Sequence, residues 1–143
     1  VRSSAASDVY KRQCHVFTVD DLKYLHRGGR VSKTAAIAGS ILGIKPLLHV
    51  DNEGHLIPVG KIRGRKQSIE KLVDMMCERM GNWDNSTVAV CHGDCLSDAE
   101  YAADLMRKKL GKKTTVHICY TGAVIGSHSG PGTLALFFMG DQR

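Results

Sequence analysis

The chain has 143 residues, 43% of them hydrophobic, and a formal net charge of +6. That is enough for one domain with a core of its own and no staples. No run approaches the roughly 18 consecutive apolar residues of a membrane span, and no secretory signal opens the chain, so a cytoplasmic protein without a membrane span is expected. The segment Val1 to Gln13 (VRSSAASDVYKRQ) has no apolar period, hairpin signal or capped helix, and is set aside as a non-native or disordered tail. Arg2, Lys11 and Arg12 against Asp8 give this tail +2, which leaves +4 on residues 14–143. That mild surplus permits acidic partners without demanding nucleic acid. Three Phe and one Trp, not interleaved with basic residues, give no base-stacking platform. The five cysteines, Cys14, Cys77, Cys91, Cys95 and Cys119, are odd in number, and most fall in apolar patterns. Reduced, mostly buried thiols follow rather than a disulfide framework.

In chain order, Thr18 is placed to cap a helix through Leu22 and Leu25, with Gly28 and Gly29 stopping it. A second helix is expected from Ser32 to Gly43, with Ala35, Ala36, Ala38, Gly39 and Ser40 leaving room for close approach. Lys45 to Val50, the turn Asp51-Asn52-Glu53-Gly54 and His55 to Arg63 read as an antiparallel hairpin, with Pro46 and Pro58 suited to edges or strand ends. Ile69, Leu72, Val73, Met76 and Met80 fall on one face of a long amphipathic helix closed by Gly81. A strand from Thr87 to Cys91, a helix capped by Ser97 and Glu100 and stopped by Gly111, and a strand from Thr114 to Tyr120 come next. Gly126 to Gly132 reads as a loop before a last strand, Thr133 to Phe138. These elements predict a two-layer α/β sandwich, with a mixed, mostly antiparallel sheet and helices packed on one face.

Gly126-Ser127-His128-Ser129-Gly130-Pro131-Gly132 carries the chemistry. Glycines admit close backbone approach, and an imidazole framed by hydroxyls and backbone N–H groups suits a carboxylate or phosphate oxygen; a plain tight turn accounts for it equally well. Lys61, Arg63, Arg65 and Lys66 form the densest basic cluster, either a docking surface for an acidic partner or a solvated strand end. Cys91, His92 and Cys95 are spaced for a thiol- or metal-dependent hydrolase, although a second ligand pair at suitable spacing is missing.

Five segments in register give a more specific reading. They are Leu25-His-Arg-Gly-Gly-Arg30-Val-Ser32, Leu42-Gly-Ile-Lys-Pro-Leu47, Lys61-Ile-Arg-Gly-Arg65, His92-Gly-Asp94 and Gly126-Ser-His-Ser-Gly-Pro-Gly132. Over residues 14–143 the chain resembles the C-terminal domain of the DegV family, bacterial proteins that bind fatty acids, some as the acyl-binding subunit of fatty acid kinase. His26, Val31 and Ser129 depart from the commonest family residues.

The resemblance implies two domains with the lipid between them, the N-terminal one absent here together with its Ser/Thr-rich carboxylate motif. It assigns His128 to the fatty-acid carboxylate, with Ser127, Ser129 and Gly130 around it. Ile37 and Ile41, with Leu42, Leu134 and Phe137, are candidate walls for the acyl chain, although ordinary core is the commoner role of apolar residues at such a period. Arg63 and Arg65 are expected to face a kinase subunit that phosphorylates the bound acyl group, and Arg30 to support the domain interface. The implied molecule is a non-catalytic carrier without a cofactor, and its exposed interface is suited to homodimerisation.

Overall fold

The computed structural model describes residues 12–32 and 43–141. The helix expected from Ser32 to Gly43 lies almost wholly outside them. Within the described residues, six strands form one sheet: β1 (Gln13–Thr18), β2 (Ile44–Val50), β3 (Leu56–Arg63), β4 (Thr87–His92), β5 (Thr115–Tyr120) and β6 (Leu134–Met139). Their spatial order is β3-β2-β1-β6-β4-β5. All neighbours are antiparallel except β4 and β5, which α3 (Leu96–Leu110) joins as a parallel crossover. α2 (Arg65–Met80) packs beside α3.

Strand alternation sorts the apolar residues into two clusters. Val16 and Leu47 enter the main core with Leu134, Leu136 and Phe138, where Ile69, Leu72, Val73 and Met76 of α2 meet Ala99, Ala102 and Met106 of α3. The alanines let α3 approach closely, and each large side chain buried here contributes about 1.5–3 kcal/mol. Their neighbours Phe17 and Leu48, paired across β1 and β2, go to a smaller cluster with Val19, Leu22 and Leu25. The two long helices thus share one sheet face, as the two-layer reading expects.

Cys14 to Thr18 is strand and not a helix approach. Thr18 ends β1 opposite Leu134, and its hydroxyl caps nothing. The short helix α1 (Lys23–Arg27) begins later, where the Asp21 carboxylate accepts the Lys23 amide at 2.8 Å. β1 starts at Gln13, one residue inside the segment set aside. The hairpin forms as expected, with a register shift between Leu47 and Leu48. Pro46 is tolerated in an inner strand because β1 pairs only with Leu48 and His49 of β2. α3 begins at Leu96, and Ser97 and Glu100 do not form the expected cap. His92 supplies the acceptor instead, its Nδ1 taking the Cys95 amide at 3.3 Å.

Candidate functional site

The central strand pair places the site. β1 leads into α1 at Thr18, and β6 leaves α4 (Ala123–Ser129) just before Leu134. Because Thr18 and Leu134 are partners, α1 and α4 meet at the same end of the sheet. β4 finishes there too, since His92 pairs with Leu134 and the Gly93 amide donates to Thr133 at 2.8 Å.

Gly126 to Ser129 is therefore helix, which the glycine content concealed. The Gly126 amide donates to the Gly122 carbonyl and the Gly130 amide to the Gly126 carbonyl, each at 2.8 Å. Gly130, at φ 79°, then ends the helix in the left-handed region. The bare N–H groups expected of a loop are largely engaged. Ser127 Oγ donates to Val124 at 2.7 Å and Ser129 Oγ to Ile125 at 2.9 Å. Ser129 and Gly130 are buried, whereas Ser127 is exposed and His128 half-buried. Of the expected carboxylate contacts, His128 and Ser127 reach solvent, while Ser129 and Gly130 hold the turn that presents them.

His128 lies against Gly28. A Cβ on Gly28 would collide with the imidazole Nδ1, so only glycine leaves the ring its place. The Arg30 guanidinium donates to the Gly28 carbonyl, which brings a cation to the same spot. Tyr24 covers Gly130, whose Cβ would strike the ring. Sequence reasoning missed Gly28 as the neighbour of His128 and Tyr24 as the neighbour of Gly130. The signal was the second glycine of the pair: Gly29, at φ 73°, suffices to end the helix, which leaves Gly28 bare for another reason. One turn before His128 on the same helix, Val124 is 74% exposed and Ile125 64%, an apolar shelf on α4.

The expected acyl walls separate. Ile37, Ile41 and Leu42 fall outside the described residues. Leu134 is fully buried in the main core. Phe137 packs on His15, ring centroids 4.9 Å apart, with its strand neighbours Leu136 and Phe138 in the main core. A groove of about 410 Å³ lies elsewhere, at the β3 edge against α2, floored by Leu47, Ile62 and Met75 and rimmed by Lys61, Lys71 and Arg79.

The basic cluster also divides. Arg63 is exposed. Arg65 is tied down, with Nε 2.8 Å from Asp98 and Nη1 3.7 Å from Asp20, which also holds Lys45 at 2.7 Å. Asp20 in turn sits where a side chain on Gly132 would be. These pairs draw Lys45, Arg65 and Gly132, from three of the five segments of the resemblance, around Asp20. Arg65→Ala is expected to cost about 1–2 kcal/mol in thermal unfolding, the scale of a charged hydrogen bond with partial exposure. Arg63→Ala should leave stability unchanged; an equal loss in both variants would refute this division.

Cys91, His92 and Cys95 do not assemble a nucleophile and base. Cys91 meets Cys119, whereas the His92 ring packs on Tyr120 at 4.4 Å and its Nδ1 is occupied by the Cys95 amide. Burial raises the Cys95 thiol pKa against the opposing pull of Arg65, and Cys95 Sγ donates to the Thr133 carbonyl at 3.3 Å. Among the described residues, the group of three side chains suited to a metal is Asp51, Glu53 and His55, at the β2–β3 turn and away from these thiols.

A family model described as an uncharacterised protein of the DegV family matches residues 3–141. The chain belongs to the DegV family. A DegV domain-containing protein of Clostridium perfringens is 48% identical over 130 residues, 91% of this chain and 44% of that protein. The crystal structure of the fatty acid binding DegV family protein of Streptococcus agalactiae superposes with a TM-score of 0.84 at 28% identity, over 98% of this chain and 49% of that one. The fatty acid kinase (Fak) B3 protein of Streptococcus pneumoniae, loaded with linoleic acid, shares the fold with a TM-score of 0.86 at 16% identity, over 97% of this chain and 48% of that one. The DegV chain described here thus spans less than half the length of these relatives. No described helix is long and apolar enough to cross a membrane.

Proposed function

We propose that this chain supplies one side of a long-chain fatty-acid site and that His128 binds the carboxylate. The observation that carries the reading is the imidazole seated on the side-chain-free Gly28, with Arg30 bonded to the Gly28 carbonyl and the exposed Val124 and Ile125 alongside. A carboxylate next to an apolar tail needs fixed donors, because an unpaired charge in an apolar site costs several kcal/mol. His128 supplies one, and Ser127 can exchange its intrahelical bond for a second. The rest of the pocket belongs to the other half of the longer relatives. The bound acid is non-covalently held and offered to a kinase partner, with Arg63 on the docking side. The fatty acid binding DegV protein of Streptococcus agalactiae supports the ligand class.

In a protein carrying both halves, His128→Ala is expected to weaken fatty-acid binding by ~1.5–3 kcal/mol, the range for a hydrogen bond to a charged group. Calorimetric titration reads this directly, and unchanged affinity would remove His128 from the site. The chain alone should melt cooperatively, since its described strands and long helices share one main core, yet bind long-chain acids weakly and without length selectivity. Sedimentation should show self-association through the shelf of Val124 and Ile125. Tight, stoichiometric, length-selective binding by this chain alone would place the whole pocket within it and overturn the half-site reading.

A further inference from the structure

β4 and β5 run parallel, and their register sets Cys91 opposite Cys119. The two Sγ atoms are 2.7 Å apart. Neighbouring strands lie about 4.8 Å apart, inside the window of roughly 4.4–6.8 Å between Cα atoms that a disulfide spans. We propose that Cys91 and Cys119 are a dithiol couple that a hydroperoxide oxidises to a disulfide across the β4–β5 edge of the sheet.

Exposure divides the labour. β5 is the outermost strand, Cys119 is exposed on it, and Cys91 is half-buried. Burial, and then the contact with Cys119, push the Cys91 thiol up to about 12, so it keeps its proton at neutral pH. Cys119 is the attacking sulfur. Its thiolate forms an S–O bond to the hydroperoxide as the O–O bond breaks, and the departing alkoxide or hydroxide takes a proton from water. The Cys119 sulfenic acid is then attacked by Cys91. The S–S bond forms, the S–O bond breaks, and the hydroxyl leaves as water with the Cys91 proton. Two electrons have passed from the thiol pair to the peroxide. The bond closes a loop containing all of α3, and it pins the edge strand that leads into α4. The oxidant comes from solution or, resting on the fatty-acid reading above, from a bound unsaturated acid carrying a hydroperoxyl group.

The reduced chain is treated with hydrogen peroxide in one arm and linoleic acid hydroperoxide in another, then alkylated and mapped by mass spectrometry. The expected result is one Cys91–Cys119 disulfide, a fall from five alkylatable thiols to three, reversal by dithiothreitol and a rise of several degrees in melting temperature. Cys91→Ser should stop at a sulfenic acid on Cys119 that dimedone traps, and Cys119→Ser should abolish the reaction. Faster oxidation by the acyl hydroperoxide assigns the oxidant to bound lipid, and equal or slower oxidation assigns it to solution; the couple stands in either case. No Cys91–Cys119 bond in either arm, with the thiols still alkylatable or oxidised elsewhere, overturns the proposal whether or not the chain binds fatty acid.

Discussion

Changing Gly28 to alanine is expected to weaken fatty-acid binding as severely as removing His128, by roughly tenfold to a hundredfold, while leaving the fold at least as stable as before. The backbone at Gly28 sits at φ −78° and ψ −3°, where alanine is at ease. Losing a glycine from the unfolded chain adds a few tenths of a kcal/mol. The added methyl, however, collides with the His128 imidazole, which must swing away from its place. Because both changes act on the same ring, the double variant should bind no worse than either single one. Unchanged affinity for Gly28→Ala with a stable fold would show that the ligand does not depend on where His128 now stands.

Gly130→Ala is expected to be the most destabilising of these substitutions, at about 2–4 kcal/mol. Two independent costs act at once. Gly130 is held at φ 79°, a region that strains any residue with a Cβ, and its Cβ would be driven into the Tyr24 ring. Tyr24→Ala in the same chain should recover the part of the loss that comes from the collision and leave the part that comes from the backbone. Chemical denaturation measures both. A loss below about 1 kcal/mol would mean that α1 and α4 are free to separate.

The legible parts of the fold were those whose signals are local. Ile69, Leu72, Val73, Met76 and Met80 declare α2 by spacing, and the turn Asp51 to Gly54 declares the hairpin. Glycine and serine dominate α4 and disguise it as a loop; its helicity depends on packing against α1. β1 carries no local signal because its partner lies at the far end of the chain, and pairing of Cys14 with Phe138 leaves no trace within either segment. The same distance hid the contact of Gly28 with His128. His128 itself was legible, because an imidazole in a glycine-rich stretch is conspicuous. Arg65 looked like surface charge because its partners Asp20 and Asp98 come from other elements. Residue type thus identified the anchor, whereas long-range strand pairing decides what surrounds it.

The position of β6 has a consequence for how the molecule is made. It lies between β1 and β4, so among the described residues the strands before it form two separate pieces, β3-β2-β1 and β4-β5, with no strand ladder joining them. On a translating ribosome those pieces emerge early, each with an inner edge, β1 or β4, that β6 has yet to cover. They cannot be joined until Leu134 to Met139 has cleared the exit tunnel. The six-stranded sheet is completed only after synthesis has passed β6, which makes the nascent chain dependent on protection from edge-to-edge aggregation until then.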